Sequence, residues 1–419
     1  MEESFNIAFF ADTHLGYTAY RYTDDKGINL RVKDGEKALH EITNQIIESD
    51  VKIDAVVHGG DIFHYSHPSI RDIVIFQYYT RQLANHGIPF YGLSGNHDAP
   101  DNKTLMSAVA AVNDPDKGIH ALYQPYEQYQ LADGIILHSV GHHGLNGDDA
   151  PKIKAVEGSL NLFTTHGAAL DPKNATLMSC KDSPREQIIP VEMIVDDSFI
   201  VRLLGHYHSR YAVGGELLNT WYSGSTIRRG FSDEPGGRGW LLVKIFPDGR
   251  TEIKFNDIKQ RPQYDLQVID AAGLSASDVQ DRIEAHILST HPADGKTDVF
   301  DEVSAPIVRQ KVINAPRSLR AGVDKKFINS LTRHMMYWDL TYSMPDVDAA
   351  PKTDDAGALI TPDSPSLTRS GSNQGSAVEN FEKWSDYSQI LSTLDNTQKE
   401  KIKKNAREHL ESVQAQRDK

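Results

Sequence analysis

Cysteine is nearly missing from this 419-residue chain, where Cys180 stands alone. A single thiol excludes an internal disulfide and fits a reducing compartment. It also leaves no thiolate set for a structural zinc site, and nothing around Cys180 in the sequence marks it as a nucleophile, so it reads as inert. No apolar run approaches the length of a membrane span, and the chain opens directly on a strand-like segment, without the basic-then-apolar layout of a signal peptide. The expectation is a soluble, intracellular, cytoplasmic protein with no membrane partner. An excess of positive charge is also lacking: the net charge is −14. That argues against indiscriminate nucleic-acid binding through a basic surface, but a local patch with bound cations can still reverse the sign. What remains is 39% apolar residues, enough for real cores, at a length that predicts roughly two to three domains.

Histidine is abundant, at 18 residues, and many fall just after short apolar runs. Residues 5–11 read as a buried strand running into Asp12-Thr13-His14. Helical spacing of Ala38, Leu39, Ile42, Ile46 and Ile47 follows over about 33–49. A strand over 53–57 leads to His58-Gly59-Gly60-Asp61-Ile62-Phe63-His64, whose glycines permit a tight turn and close approach to a ligand. A helix is predicted from Pro68-Ser69 to about His86. A third strand over 88–93 ends in Ser94-Gly95-Asn96-His97-Asp98. Strands over 133–138, 160–165 and 199–204 follow, the last two ending in His166-Gly167 and Gly205-His206-Tyr207-His208. The pair His142-His143 reads as loop. Strands near 217–222, 239–246 and 251–257 look like an antiparallel run completing a second sheet, with the loop Ser223–Phe231 between the first two. Its hydroxyls and Arg228 and Arg229 suit phosphate contacts.

Each of these clusters alone is an ordinary polar loop. Five in succession at strand ends, where α/β sheets place their chemistry, form a pattern. The oxygen and nitrogen donors suit Mn, Fe, Zn or Mg. Asp12, His14, Asp61, Asn96, His166, His206 and His208 are too many ligands for one ion and about right for two, with Asp61 able to bridge. Two ions about 3.5–4 Å apart clamp both oxygens of a phosphoryl displacement.

The order D-x-H, G-D-x-F, G-N-H-D, H-G, G-H-x-H resembles that of the calcineurin-like metallophosphoesterases. The finer pattern is similar to the SbcD-type (Mre-eleven-type) DNA repair nucleases, on Asp12 to Gly16, Gly60 to Phe63 with Pro68-Ser69, Tyr222 to Ser225, and Arg228 or Arg229 with Phe231 and Glu234. The resemblance covers about residues 7–243. It implies an α/β fold, a two-sheet sandwich flanked by helices, with a dinuclear centre preferring manganese (Mg, Fe or Zn being possible). It implies Asp12, His14, Asp61 and His208 on one metal and Asp61, Asn96, His166 and His206 on the other. It makes His97 the residue at the scissile phosphate or leaving oxygen, oriented by Asp98, with His64 facing the substrate phosphate. Ser225, Arg228 and Arg229 become DNA contacts. The implied activity is exo- or endonucleolytic hydrolysis at DNA ends, in repair, recombination or replication. The implied partners are a second nuclease subunit, as a homodimer, and an SMC-like ATPase of the SbcC or Rad-fifty type.

The remaining chain divides by composition. Residues 1–260 form the expected nuclease domain and 261–344 a small α+β capping domain, its elements read near 264–269, 277–289, 307–313, 324–334 and 337–342. Residues 345–377, rich in Pro, Asp, Ser, Thr and Gly, read as a flexible linker. Over 378–419, Phe381, Trp384, Tyr387, Leu391 and Leu394 recur at helical spacing, and a capping box at Thr397 opens a second stripe with Ile402, Ala406, Leu410 and Val413. A tethered pair of amphipathic helices is expected to dock on the ATPase. The alternative is a metallophosphoesterase for small phosphodiesters or phosphoproteins; Leu15-Gly16, Phe63, Ser225 with the Arg pair, and the tethered helices argue against it. A non-catalytic scaffold is opposed by the full ligand set.

Overall fold

The computed structural model describes residues 3–100, 106–145, 150–182, 186–215, 218–233, 236–290 and 300–344, and beyond these only the backbone of 352–353 and 359–360. Strand β1 (Phe5–Phe10) sets the pattern. Its side chains alternate between two buried faces: Ile7 and Phe9 enter one core, Ala8 and Phe10 another. That doubly buried strand is why its sequence is continuously apolar rather than alternating. Helix α1 (Leu30–Ile47) returns the chain to β2 (Ala55–His58), and α2 (Ile70–Asn85) to β3 (Phe90–Leu93), followed by β4 (Ile119–Leu122). The β1, β2, β3 and β4 pairings are parallel. Asn29 caps α1 through the Arg31 N–H, and Ser69 with Asp72 forms a full capping box on α2.

A second sheet starts with β5 (Glu127–Ala132) and β6 (Ile135–Val140), then β7 (Leu160–His166). Two short helices, α3 (Ala175–Ser179) and α4 (Val191–Val195), lead to β8 (Phe199–Gly205), β9 (Tyr211–Ala212) and β10 (Thr220–Tyr222). Strands β6, β7, β8 and β10 are parallel. The hairpin β11 (Gly239–Ile245) and β12 (Thr251–Asp257) does not complete that second sheet, contrary to the sequence reading. It joins the first, with β11 antiparallel to β1 over Phe5↔Ile245 to Phe9↔Leu241, while β10 alone stays in the second. The physical reason is burial: Leu241, Val243 and Ile245 fill the inter-sheet core beside Ile7 and Phe9. Strands β4 and β5 were not anticipated. One has four residues, and the other, Glu127-Gln128-Tyr129-Gln130-Leu131-Ala132, is a largely polar edge strand.

Among the described residues, each large sheet has six strands. One core lies between the sheets; a second lies under α1 and α2; a third, with Val140, Phe163, Leu204 and Tyr222, covers the far face of the second sheet. Each such fully buried large apolar side chain contributes about 1.5–3 kcal/mol. The consequence for function is directional. β1, β2, β3, β7 and β8 all end toward one edge of the sandwich, and the chain continues there as polar loops.

The chain then builds β13 (Gln263–Asp265), β14 (Ile269–Asp270), α5 (Ala276–Leu288), β15 (Ile307–Ile313), α6 (Arg317–Gly322), α7 (Lys325–Leu331) and β16 (Tyr337–Tyr342). β13 and β14 share one edge of β15 and β16 takes the other, all parallel, over a separate core of Val279, Ile283, Ile287, Val308 and Val312. Residues up to Ser343 form one compact unit. Arg261 fastens this part to α1 with a two-pronged bond to Asp34, both at 2.8 Å. Tyr20 stacks on Tyr337 at 4.1 Å, and Leu30 meets Ile307 and Met336. Residues from Met344 onward form a second unit, in which Lys352–Thr353 pairs antiparallel with Leu359–Ile360. The helical stripes expected from Phe381 to Val413 lie outside the described residues, as does Glu234.

Candidate metal centre

Five strand ends deliver the seven residues singled out from sequence to one place. Asp12 and His14 follow β1, Asp61 follows β2, Asn96 follows β3, His166 ends β7, and His206 and His208 follow β8. Four of them hold a left-handed backbone that side chains other than Gly seldom adopt: Asp12 (φ 54°), His14 (46°), Asp61 (53°) and His206 (105°). Such strain persists only where surrounding contacts over-determine it. Those contacts are the Asp12 N–H to the Gly60 carbonyl, the His14 N–H to the Asp61 carbonyl (both 2.9 Å), and the His206 N–H to the Asp12 carboxylate at 3.1 Å. Space is equally constrained. A Cβ on Gly95 would lie 2.2 Å from Asp61 Oδ1, so only glycine lets the two loops meet.

The donors fall into two overlapping sets. In the first, His14 Nε2 lies 3.3 Å from His208 Nε2, 3.5 Å from Asp61 Oδ2 and 3.9 Å from Asp12 Oδ1. His208 Nε2 lies 3.7 Å from the same Asp12 oxygen. In the second, His166 Nε2 lies 3.4 Å from Asp61 Oδ2 and 3.0 Å from Asn96 Oδ1, and His206 Nδ1 lies 3.3 Å from Asn96 Oδ1. Asp61 belongs to both. Its second oxygen, Oδ1, accepts the His97 N–H at 2.9 Å.

Electrostatics follow from burial. Burial holds His14 well below the usual imidazole range, against the pull of Asp61. Burial alone would raise Asp61, but His166 and then His14 hold it ionised, well below the usual carboxylate range. Burial works against both His166 and His206, yet Asp61 raises His166 above the usual imidazole range, and Cys180 and then Glu186 raise His206 to about 10, so protons are drawn to the second set while His14 stays bare. That donor set, hard oxygen with imidazole nitrogen and no sulfur, fits divalent cations of the Mn, Fe, Zn or Mg kind. The outward nitrogens are fixed by neighbours. His166 Nδ1 is 2.8 Å from the Gly59 carbonyl, and His208 Nδ1 is 3.2 Å from Asp233 Oδ1. His58 accepts the Gly60 N–H and lies 2.6 Å from Thr13 Oγ1. Burial, followed by the nearby His166, brings it to about 3, so it is a neutral strut between the β1 and β2 ends.

His97 and His64 flank the first set. Their rings stack at 5.0 Å and 19°, and His97 Nδ1 is 2.7 Å from the His64 carbonyl. That carbonyl can only accept, so Nδ1 carries the proton and Nε2 is left for a substrate. Burial, then His97, lowers His64 to about 4. Asp98 does not orient His97, which corrects the sequence reading. Its carboxylate accepts the N–H groups of Ile62, Phe63 and Gly95 at 2.7–3.0 Å, and burial with the neighbouring Asp61 pushes it up to about 7. It ties the β2 loop to the β3 loop.

The Ser223–Phe231 loop also divides differently. Ser225 is fully buried and donates to the Ile227 carbonyl at 2.8 Å. Arg228 is 9% exposed, its guanidinium bonded to the Asp233 and Gln263 carbonyls. Neither is available to a DNA backbone, because both are consumed in holding the loop. Arg229 is the cation that reaches the centre, with Nη2 3.0 Å from His208 Nε2. Leu15 and Phe63, taken as marks of a DNA enzyme, pair backbones and are buried in the helix-side core. The sequence reading missed Asp233 and Glu186. The first holds both His208 and the Arg229 N–H (2.8 Å); the second lies 2.6 Å from His206 Nε2. Asp233 was one residue from the Glu234 that the motif suggested, whereas Glu186 has no signal beyond being an acid upstream of β8. Asp61, His97, His206, His208, Arg229 and Glu186 line a cleft of about 350 Å³. Cys180, read as inert, is half-buried at its wall.

The family profile described as calcineurin-like phosphoesterase matches residues 5–243. Among curated proteins, the chain is similar to three called DNA double-strand break repair protein Mre11. That of Halobacterium salinarum is 37% identical over 58% of this chain and 57% of the relative. That of Methanosarcina acetivorans is 28% identical over 59% and 38%, and that of Sulfurisphaera tokodaii 26% over 62% and 64%. The chain thus spans less than two-thirds of the length of each. A solved dimetal phosphatase from Danio rerio aligns over 60% of this chain and 96% of its own, with 11% identity and a TM-score of 0.37.

Because Asp61 is common to both donor sets, Asp61→Ala should abolish uptake of two ions together, whereas His208→Ala should weaken mainly one. Calorimetric titration with manganese, backed by metal analysis, checks this. A wild-type chain that takes up no more than one ion at saturation contradicts the shared-carboxylate arrangement.

Proposed function

The chain belongs to the calcineurin-like phosphoesterase family, metal-dependent hydrolases of phosphate esters that carry two divalent cations, and from that premise we propose that it is a DNA nuclease working with two manganese ions. The observation that carries the reading is the meeting of seven O and N donors in two sets, with Asp61 between His14 and His166, Asp12 close to both groups, and Asn96 joining His166 and His206, beside a cleft open to a phosphodiester. The similarity to proteins named for double-strand break repair supports DNA as the substrate. Two cations on these residues supply Lewis acidity and an activated water for in-line displacement at phosphorus.

The chain's own groups do the rest. Asp12, His14, Asp61 and His208 form one cradle and Asp61, Asn96, His166 and His206 the other. Arg229 binds a non-bridging phosphate oxygen from the side of the first. His97, its Nδ1–H held by the His64 carbonyl, presents Nε2 to the scissile phosphate; as an imidazolium, with Nε2 protonated as well, it stabilises developing charge or gives that Nε2 proton to the leaving oxygen. His64 backs that ring by stacking. Local cations offset the overall negative charge where the DNA backbone lies. On linear DNA with manganese, His97→Ala should lose two or more orders of magnitude in rate and keep its metal content and DNA affinity. Near-normal cleavage by that variant removes His97 from the chemistry. A wild type that hydrolyses a chromogenic phosphodiester but no DNA replaces the nuclease reading with the small-substrate one.

The domain reading keeps residues 1–260 as the catalytic part, 261–344 as a DNA-contacting cap, 345–377 as linker and 378–419 as the docking segment for an SMC-like ATPase. Truncation from Val378 should abolish co-purification with such an ATPase and leave metal binding and manganese-dependent cleavage of short DNA intact. Loss of metal or of folding in the truncated chain puts those residues in the body's core instead. The second copy expected in a homodimer has a candidate surface on α2. Ile70, Val74 and Tyr78 recur every four residues, so they share one helix face, and all three are exposed, Ile70 by 81%. Val74→Glu should convert a dimer to a monomer by light scattering; an unchanged mass moves the dimer surface elsewhere.

A further inference from the structure

His206 has a different neighbour at each ring nitrogen. Nδ1 faces Asn96 Oδ1 at 3.3 Å, on the side of the shared carboxylate. Nε2 faces Glu186 Oε2 at 2.6 Å, on the opposite side, and the Cys180 side chain also reaches the ring. An imidazole can turn only one nitrogen into the donor cluster, and its other nitrogen must then be held by something. The other two histidines with this arrangement already have such a partner: the Gly59 carbonyl for His166 and Asp233 for His208. His206 needs one more than they do. It sits at φ 105°, a conformation that no local preference maintains, so its ring direction depends on contacts outside its own backbone.

Glu186 answers that need. Its Oε2 is shut off from solvent and, among the described residues, no hydrogen bond of regular geometry satisfies it; the His206 ring is its ion-pair neighbour at 2.6 Å. A carboxylate oxygen buried without a donor is unfavourable, and the His206 ring lies against this one. We propose that Glu186 is the positioning residue of His206: it accepts the Nε2 proton, fixes the tautomer that leaves Nδ1 bare, and aims that nitrogen at the second donor set. The inference rests on the two-cation reading above and assigns Glu186 no contact with substrate. It also separates the two cation sites chemically. The first has a neighbouring carboxylate at Asp233 that is shared with Arg229, whereas the second has one devoted to His206.

The test is calorimetric titration of the full chain with manganese chloride, with thermal melting to confirm that each variant is folded. Glu186→Ala should lose about 10- to 100-fold in affinity for one ion, the range found for such supporting partners, and keep the other ion at wild-type affinity. Glu186→Gln retains an oxygen acceptor and should recover most of the loss. In electron paramagnetic resonance at two equivalents of manganese, the exchange-coupled signal of the wild type should give way in Glu186→Ala to the six-line spectrum of isolated ions. Wild-type affinity for both ions in Glu186→Ala overturns the proposal. So does a Gln variant as weak as the Ala variant, because that result makes Glu186 a direct ligand or a bare charge. A wild type with a single manganese site overturns the two-cation reading, and this proposal with it.

Discussion

Everything in the centre depends on one carboxylate being shared. Asp61 Oδ2 stands 3.5 Å from His14 and 3.4 Å from His166, which come from different sheets. For that to happen the β2 loop must cross toward the second sheet, and it does so in a left-handed turn through Gly60 and Asp61. The turn survives because other groups will not let it relax. The His97 N–H holds Oδ1, Asp98 holds the Ile62 and Phe63 amides, and the missing Cβ of Gly95 leaves room for the carboxylate. The inter-sheet core of Phe9, Val57, Leu93, Leu162 and Leu203 acts at one remove, by fixing the distance between the two sets of strand ends.

The sharing has an electrostatic consequence. Asp12 and Asp61 are 0% and 2% exposed, and buried like charges are tolerated only with compensation. Imidazoles supply part of it within the protein, and cations complete it. Two buried carboxylates thus mark a place for cations in a chain of net charge −14. Arg229 adds a fixed positive charge on the side of His14 and His208. An acidic protein can bind a polyanion in this way without a basic surface.

The segment between β1 and α1 extends these constraints toward the third sheet. Tyr17 donates to the Arg229 carbonyl at 2.8 Å and packs its ring on His64 at 5.0 Å. A few residues on, Tyr20 and Tyr22 stack on Tyr337 and Phe300. One stretch of chain thus touches both the histidines beside the centre and the strand edge of the small sheet. Arg261, bound to Asp34 in α1, reinforces the same junction.

The donor residues were legible in the sequence because their signal is local. Each is a short apolar strand followed at once by Asp, Asn or His, and strand order brings such ends to one edge. The α1 and α2 helices and most strands were legible for the same reason, since periodicity needs only neighbouring residues. What the sequence could not decide was anything set by contact across the fold. The β11–β12 hairpin reads identically whichever sheet it joins; only the fit of Leu241, Val243 and Ile245 beside β1 assigns it. Asp98, Ser225 and Arg228 look chemical in a motif, yet their polar atoms are spent on backbone groups brought close by folding. Glu186 has no motif and Asp233 lies one residue off the one suggested; both matter because tertiary packing sets them against His206 and His208. The residue types that can hold cations were thus determined by the chain itself. Which of them meet, and which neighbours turn each ring, was decided by the packing of two sheets whose contacts lie up to about two hundred residues apart in sequence.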